Sequence, residues 1–363
     1  MLIRGFLRRL GRGPWRAPGG ARAAASFLAV LAAVVIAAVV ATSPLAAQPF
    51  LKFTLDQRFD ALSTPYLVAL DRGYLKDEGL EVAIDPAAGP AEAIERVASG
   101  TYDIGVADLG TLIRWRDQHP EAVLPAVFMV FDRPPYAILA RRSRGIAGPR
   151  DLDGKRVGAS PLDGSLGRLI VFARVNDIDP ARLKVESVAL PVREPMLAAG
   201  QLDAISATTF TVLDLEARGV PVDDVLAIPM AEHGVELYGR AIFVGKTLAA
   251  RPDAVRAFLR AIVKGLTDTV RDPAQAVETV GKRLDARAPA LELERLRMAV
   301  RQNIVTPAVR ANGFGAVDME RLGRAIAQLG LAYQFRTVPK PAEVFDASFL
   351  PPPEQRMPPQ ETP

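Results

Sequence analysis

The chain has 363 residues, 49% of them hydrophobic, which is enough material for two domains of ordinary size with their own cores. The first 47 residues hold six arginines and no acidic residue, so the net charge of +4 becomes 4 − 6 = −2 for the remainder, which argues against a nucleic-acid-binding protein. No cysteine is present, which excludes disulfides and a lipid-bearing cysteine anchor.

Residues 1–47 have the order of a secretory signal peptide. A basic region precedes the apolar run Phe27–Val40, and small residues follow up to a cut site expected near Ala47. The alternative is an uncleaved membrane anchor, because the uncharged stretch Ala23–Ala41 is just long enough to span a bilayer. Its alanine richness favours the cleaved signal. We therefore expect a periplasmic protein without a lipid anchor.

The first strand is predicted over Phe50–Leu55, where apolar residues alternate, and a polar loop follows it. Ligand-binding loops of an open α/β sheet follow the carboxyl ends of its strands. Asp56, Arg58 and Phe59 in this loop are therefore the first candidate ligand-binding residues.

A twelve-residue pattern occurs twice, at Val97–Asp108 and again at Leu197–Thr208. In both copies an apolar helix ends at a glycine, and an aspartate three residues later opens a short strand. The matching pairs are Gly100 with Gly200 and Asp103 with Asp203. The pattern predicts two similar α/β lobes that face one cleft, although residues this common also match by chance.

The remaining candidate ligand-binding residues follow predicted strands, such as Arg156–Ala159, or begin predicted helices. They are Asp108, Leu109, Asp132, Ser160, Asp163, Gly164, Ser165, Glu194, Thr208, Phe210 and Tyr238. Ser165 begins the helix that runs to Val175, where free backbone N–H groups are suited to bind a ligand oxygen. The alternative for Ser165 is an ordinary helix cap.

Two crossings between the lobes are predicted, at Arg141–Arg144 and at Glu236–Arg240, and they form a hinge. Lobe 1 then comprises residues 48–140 and 240–338, and lobe 2 comprises residues 141–239. Amphipathic helices from Pro252 onward are expected to pack on lobe 1. Residues 339–363 are proline-rich and should form an extended tail without helix. Its candidate anchors are Val344, Phe345, Phe349 and Leu350.

Three segments together resemble the periplasmic solute-binding proteins of ABC importers: Pro65–Val82, Ala98–Asp108 and Asp151–Gly158. The similarity covers roughly Phe50–Leu331 and is nearest to the nitrate, sulfonate and taurine type, which includes carriers of thiamine-pyrimidine precursors. It implies a type II periplasmic binding protein, with two α/β lobes, a hinge and a ligand cleft. It also implies a monomer that delivers a small solute to an inner-membrane permease with a cytoplasmic ATPase.

The residues offer no candidate catalytic group, metal site or cofactor site. His119 and His233 are isolated, Gly164–Gly167 is not a Gly-x-Ser-x-Gly elbow, and no phosphate loop occurs. The family resembled includes a pyrimidine-precursor biosynthetic enzyme that uses histidine and cysteine-bound iron, and a chain without cysteine lacks those ligands. A transcription regulator of this fold needs a DNA-reading helix pair where the signal lies. We expect a binding protein that is not an enzyme.

The ligand class is predicted from the charges of the proposed loops, where five carboxylates face three guanidinium groups. Carboxylates accept hydrogen bonds from amino and ring N–H groups, and aromatic side chains stack on flat rings. This balance favours a nitrogen heterocycle such as a pyrimidine, with sulfonate, taurine or nitrate as the alternatives. The Trp-x-Pro-Asn signature of pyrimidine-precursor carriers is replaced by Asp56–Phe59, which leaves the ligand open.

The predicted ligand contacts are shared between the two lobes. Phe59 and Tyr238 stack on it, Asp56 and Asp108 accept its N–H groups, and Ser165 binds an oxygen. On the second lobe, Thr208 and Glu194 complete the site. The competing interpretation is that several of these charges pair with each other, as the adjacent residues Asp132 and Arg133 suggest.

Overall fold

A computed structural model describes residues 49–161, 163–284 and 288–360. The predicted signal peptide, residues 1–47, lies outside the described residues. Within the described ranges, none of the helices combines the length and the apolar character needed to cross a membrane.

The described residues form ten main strands and a set of α-helices. The strands are β1 (Phe50–Leu55), β2 (Glu81–Pro86), β3 (Ile104–Asp108), β4 (Ala126–Met129), β5 (Tyr136–Arg141), β6 (Arg156–Ala159), β7 (Lys184–Ser187), β8 (Ala204–Thr208), β9 (Val225–Pro229) and β10 (Arg240–Val244). The helices are α1 (Thr64–Asp71), α2 (Tyr74–Asp77), α3 (Pro90–Ala98), α4 (Leu109–Gln118), α5 (Ser165–Val175), α6 (Leu190–Ala198), α7 (Thr211–Glu216), α8 (Lys246–Ala249), α9 (Pro252–Arg271), α10 (Pro273–Val280), α11 (Pro289–Ala299), α12 (Pro307–Asn312), α13 (Met319–Leu329) and α14 (Pro341–Val344).

The strands form two sheets of identical topology. Their orders are β2-β1-β3-β10-β4 and β7-β6-β8-β5-β9. In each sheet, the fourth strand runs antiparallel to both of its neighbours. It is also the strand that comes directly after a crossing, β10 in the first sheet and β5 in the second. The prediction of two similar α/β lobes is confirmed, and the predicted bounds of β1 and β6 are also correct.

The repeated pattern is the joint between a helix and the central strand of each sheet. Gly100 and Gly200 have φ of 76° and 71°, the left-handed region that suits glycine at a helix end. The Asp103 carboxylate accepts a hydrogen bond from the backbone N–H of Lys52 at 2.8 Å, and Asp203 does the same for Arg156 at 2.9 Å. Each aspartate therefore fixes its strand against the adjacent parallel strand.

The first crossing lies one strand earlier than predicted. We expected residues 137–140 in lobe 1, but β5 pairs with β8 and β9 in the second sheet. The chain crosses between Val130 and Tyr136, where Pro134 and Pro135 cannot donate to a strand ladder. The charged run Arg141–Arg144 is therefore not the crossing. Strand β9 and helices α2, α7, α8 and α12 were not predicted.

The C-terminal tail is packed on the first sheet, and one prediction about it is wrong. Helix α14 begins at Pro341, because proline is tolerated in the first helical turn. Val344, Phe345 and Phe349 are buried, and Leu350 is half-buried. Phe345 also forms a bridge with Ala126 of β4. The tail thus extends the first lobe.

Candidate functional site

A cleft of about 480 Å³ opens where strand ends of the two sheets face each other. Seven of the predicted residues line it, from strand ends, loops and helices of both lobes. They are Asp56, Arg58, Asp108, Asp163, Glu194, Thr208 and Phe210. Half of the fourteen candidates therefore line one cavity, because the carboxyl ends of strands in both sheets face it.

The other seven candidates lie elsewhere. Leu109, Gly164 and Tyr238 line a small cavity of about 20 Å³, which shares Asp108 with the cleft. Phe59, Asp132, Ser160 and Ser165 line neither cavity.

Asp56 is the most deeply buried carboxylate of the cleft loop, with 7% of its surface exposed. Its Oδ2 lies 3.0 Å from Nε of Arg240, whose guanidinium also donates to the Gln57 side chain. Burial raises the pKa of Asp56 to about 6 against the lowering influence of Arg240. Its Oδ1 is buried without a hydrogen-bond partner within the described ranges. Asp56, a lining residue of the cleft, therefore has one oxygen paired with Arg240 and one buried oxygen without a partner among the described residues.

Asp108 joins the two lobes at the back of the cleft. Its Oδ1 accepts from the backbone N–H and hydroxyl of Thr111, at 2.7 and 2.8 Å, so it caps α4. Its Oδ2 accepts from the hydroxyl of Tyr136 and lies 3.9 Å from Nη1 of Arg168. Burial raises the pKa of Asp108, although Arg168 opposes the shift. Both oxygens of the Asp108 carboxylate thus already have partners within the protein.

Arg168 is a buried cation that the sequence analysis missed. It lies in the first turn of α5, with its guanidinium 4.2 Å from the centre of the Tyr136 ring. Its Nε has no hydrogen-bond partner in the part of the chain described, and 7% of the residue is exposed. Its position in the first turn of the helix that follows the end of β6 is a signal that the sequence offered.

Asp163 and Glu194 are both held by Arg193. Arg193 donates to Asp163 Oδ2 at 2.9 Å and to Glu194 Oε1 at 2.9 Å. Burial acts to raise the pKa of Asp163, but Arg168 and Arg193 outweigh it and leave that pKa below its usual value. The second lobe therefore presents a neutralised charge network to the cleft rather than free carboxylates.

Ser165 holds a turn in the second lobe. Its hydroxyl accepts from the backbone N–H of Ser160 at 2.8 Å and donates to the Ser160 carbonyl at 3.1 Å. Both serines are fully buried. Ser206 donates to the Ser165 carbonyl at 2.9 Å. These contacts hold the turn between Ser160 and Ser165 and do not cap α5, whose N-cap residue is Gly164 and lacks a side-chain cap bond.

Asp132 and Tyr238 lie in the two crossings. Asp132 pairs with Arg321 of α13 at 3.0 Å, and the Tyr238 hydroxyl accepts from the backbone N–H of Asp318 at 3.0 Å. Phe59 is half-buried and packs against the apolar core of the first lobe. These contacts place the two predicted stacking rings outside the cleft lining.

The charge balance of the cleft corrects the prediction of excess carboxylates. The acidic residues lining it are Asp56, Asp60, Asp108, Asp163, Glu194 and Asp214. The basic ones are Arg58, Arg168, Arg193, Arg218, Arg240 and Arg295. Six acidic residues face six basic ones, because α5, the turn after α7, α11 and β10 contribute arginines that a count of the predicted loops omitted. Charge excess therefore does not select the ligand.

Neither histidine takes part in the cleft. The His119 ring stacks on Trp115 at 4.0 Å, and His233 packs edge-on against Phe172. Among the described residues, no group of three or more His, Asp or Glu side chains has the arrangement of a metal site.

The family model described as NMT1/THI5 like matches residues 61–276 of this chain. The 4-amino-5-hydroxymethyl-2-methylpyrimidine phosphate synthase of Legionella pneumophila is 28% identical over 219 residues, which is 59% of this chain and 67% of that protein. The formylaminopyrimidine-binding protein of Halalkalibacterium halodurans is 24% identical over 286 residues, covering 76% of this chain and 83% of that protein.

Solved structures establish the fold. The periplasmic aliphatic sulphonate binding protein from Escherichia coli superimposes with a TM-score of 0.64 at 15% identity, over 85% of this chain and 91% of that one. The alkanesulfonate-binding protein from Xanthomonas axonopodis pv. citri, bound to MOPS, gives 0.61 at 18% identity, over 84% and 99%. The expected periplasmic-binding-protein fold is confirmed.

Proposed function

The chain belongs to the NMT1/THI5-like family, and from that premise we propose that it is the substrate-binding component of an ABC importer. It captures a small solute between its lobes in the periplasm, which it reaches through the signal in residues 1–47. It then delivers the solute to an inner-membrane permease with a cytoplasmic ATPase. The solute class that the cleft supports best is a nitrogen heterocycle such as a pyrimidine.

The observation that carries this proposal is the unpartnered Oδ1 of Asp56. A buried acceptor without a donor costs roughly 1–3 kcal/mol, which a ligand N–H group would recover on binding. Nε of Arg168, on the other lobe, is a buried donor that likewise has no hydrogen-bond partner among the described residues. An aminopyrimidine carries both N–H donors and ring-nitrogen acceptors, so this class of molecule offers the two kinds of partner that these atoms lack.

The relatives support the pyrimidine assignment without separating a carrier from an enzyme. One of the two described above is named as a pyrimidine phosphate synthase and the other as a formylaminopyrimidine-binding protein. We favour the carrier because the synthase chemistry implied by the resemblance uses cysteine-bound iron, and this chain has no cysteine.

Sulfonate binding is the second candidate, and one observation favours it. Arg58 and Arg218 line the cleft, and their guanidinium groups make no ion pair or hydrogen bond within the described ranges. Free guanidinium groups are suited to a sulfonate or another oxyanion. The two solved structures named above are sulfonate-binding proteins.

A thermal-shift screen tests both candidates. The chain without residues 1–47 is mixed with pyrimidines, alkanesulfonates, taurine, nitrate and amino acids, and a ligand of the folded state raises the melting temperature. We expect a pyrimidine to give the largest shift and Asp56→Asn to reduce it, whereas the exposed substitution Asp77→Asn leaves it unchanged. A shift with sulfonates alone would replace the pyrimidine assignment. Mass spectrometry of the recovered ligand should show it unaltered; a converted product refutes the carrier.

A further inference from the structure

Helix α7 of the second lobe places two side chains on the first lobe. Phe210, directly before the helix, is 3% exposed. It belongs to an apolar cluster whose other buried members come from residues 51–131 and 242–349, including Leu62 and Phe131. Asp214 follows four residues later, so it shares a face with Phe210. One face of α7 therefore contacts the first lobe.

Asp214 makes a two-point ion pair with Arg295 of α11. Nη2 of Arg295 lies 3.0 Å from Oδ1 of Asp214, and Nη1 lies 3.5 Å from Oδ2. The Arg295 side chain is 14% exposed and that of Asp214 is 37% exposed. Both residues line the cleft, and neither lies in the crossings that contain Asp132 and Tyr238. The pair therefore joins the lobes at a place separate from the hinge.

Arg295 is also connected to the loop that carries Asp56. Its Nε lies 3.5 Å from Oε1 of Glu292, and Oε2 of Glu292 accepts from the backbone N–H of Ala61 at 2.8 Å. Ala61 directly follows Asp60, the last acidic residue of that cleft loop. The cation that binds the second lobe is thus fixed against the ligand-binding loop of the first.

We propose that Phe210, Asp214 and Arg295 form a closing latch, which stabilises the closed cleft and releases when the lobes separate. The inference rests on the two-lobed carrier proposed above and goes beyond it by naming the residues that set the balance between open and closed states. Opening separates a bidentate charge pair and returns the Phe210 ring to water, so both contacts favour closure.

The test measures lobe separation in the ligand-free protein. Because the chain has no cysteine, Lys76→Cys and Lys184→Cys introduce two unique sites for spin labels, one exposed on each lobe. Electron–electron double resonance then gives the distribution of distances between the labels. Asp214→Asn and Arg295→Gln are made singly and together in this labelled chain.

We expect Asp214→Asn to lower the ratio of closed to open molecules about two- to fivefold, the range for a partly exposed ion pair. Arg295→Gln should give a similar change, and the double variant should add little to either, because one interaction is lost in all three. Arg301→Gln is the matched control: Arg301 pairs with Glu294 at 2.9 Å, and both lie on α11 or the turn after it. This control should leave the distribution unchanged.

Coinciding distance distributions for Asp214→Asn and the parent would overturn the latch. So would an equal shift with Arg301→Gln, which would show a general effect of charge. The measurement uses no ligand, so the two proposals fail separately. If no solute stabilises the chain, the carrier is refuted while the latch result stands; an unshifted distribution refutes the latch and leaves solute binding intact.

Discussion

The carboxylate of Asp132 lies 3.0 Å from Nη1 of Arg321, and this pair joins the two crossings to α13. Nη2 of Arg321 donates to the backbone carbonyls of Asp132 at 2.8 Å and Leu237 at 3.1 Å. The guanidinium also lies 4.0 Å from the centre of the Tyr238 ring. One side chain of a C-terminal helix therefore holds both strands of the hinge, and Asp132 is an anchor for it.

Arg321→Ala should destabilise the protein strongly. The substitution leaves the buried Asp132 carboxylate without its cation, and breaking a buried pair in this way costs roughly 3–5 kcal/mol. Urea unfolding followed by circular dichroism measures the change in the free energy of unfolding.

Arg324→Ala is the control for Arg321→Ala, because Arg324 lies on the same helix and pairs with Glu236 at the surface. An exposed pair contributes about 0–1 kcal/mol, so this variant should unfold nearly as the parent does. Equal losses in the two variants would show that α13, rather than the hinge pair, is what the substitutions disturb.

Asp56→Asn should change how stability depends on pH. The pKa of Asp56 is about 6 in the folded chain and 3.8 in the reference state, so the folded protein binds the proton more tightly. The stability that this proton provides is complete below about pH 4 and is lost as pH rises through about 6, by on the order of 3 kcal/mol at most. Asn cannot ionise, so the variant lacks this loss.

Melting temperatures between pH 4 and pH 8 measure the Asp56 effect. The difference between Asp56→Asn and the parent should move in favour of the variant as pH rises. Asp77→Asn serves as the surface comparison. A difference that stays constant across the range would contradict the burial-driven shift in the pKa of Asp56.

Asp108→Ala should lower the melting temperature as well as weaken ligand binding. Asp108 caps α4 through Thr111, and removing such a cap costs roughly 0.5–2 kcal/mol. Asp108→Asn retains a capping oxygen and should recover most of this stability. Among the described residues, the Thr208 hydroxyl has one hydrogen-bond contact, at 3.4 Å with the Thr211 hydroxyl, so Thr208→Ala should leave the melting temperature almost unchanged. Differential scanning calorimetry compares the three; matching melting temperatures for Asp108→Ala and Asp108→Asn would exclude the cap.

Arg356→Ala should loosen the C-terminal tail. Arg356 is 7% exposed and donates to the backbone carbonyls of Pro351, Asn312 and Phe314. Leaving buried carbonyls without donors costs roughly 1–3 kcal/mol. Hydrogen exchange in residues 312–314 should accelerate relative to the parent, with the rates in β6 as the internal reference. Unchanged exchange at 312–314 would show that the tail is held without this side chain.

Local sequence patterns were sufficient to predict the structure of the repeated unit. Gly100 and Gly200 mark helix ends because they take positive φ, and Asp103 and Asp203 bond to the next strand at the same register. Alternating apolar residues predicted the bounds of β1, and the turns that precede β6 in the chain predicted the bounds of that strand. Such features depend on neighbours in the chain, so two lobes and the position of the cleft loops were predictable.

The sequence by itself determined the two α/β units and seven of the residues that line the cleft. It also determined the resemblance of the chain to periplasmic solute-binding proteins. Only the tertiary structure decided the partners of each charge: Arg240 for Asp56, Arg295 for Asp214 and Arg321 for Asp132. It also decided that β5 belongs to the second sheet. The physical reason is range, since periodicity and turn chemistry act over a few residues, whereas these partners are brought together by lobe packing across 81 to 189 residues of chain.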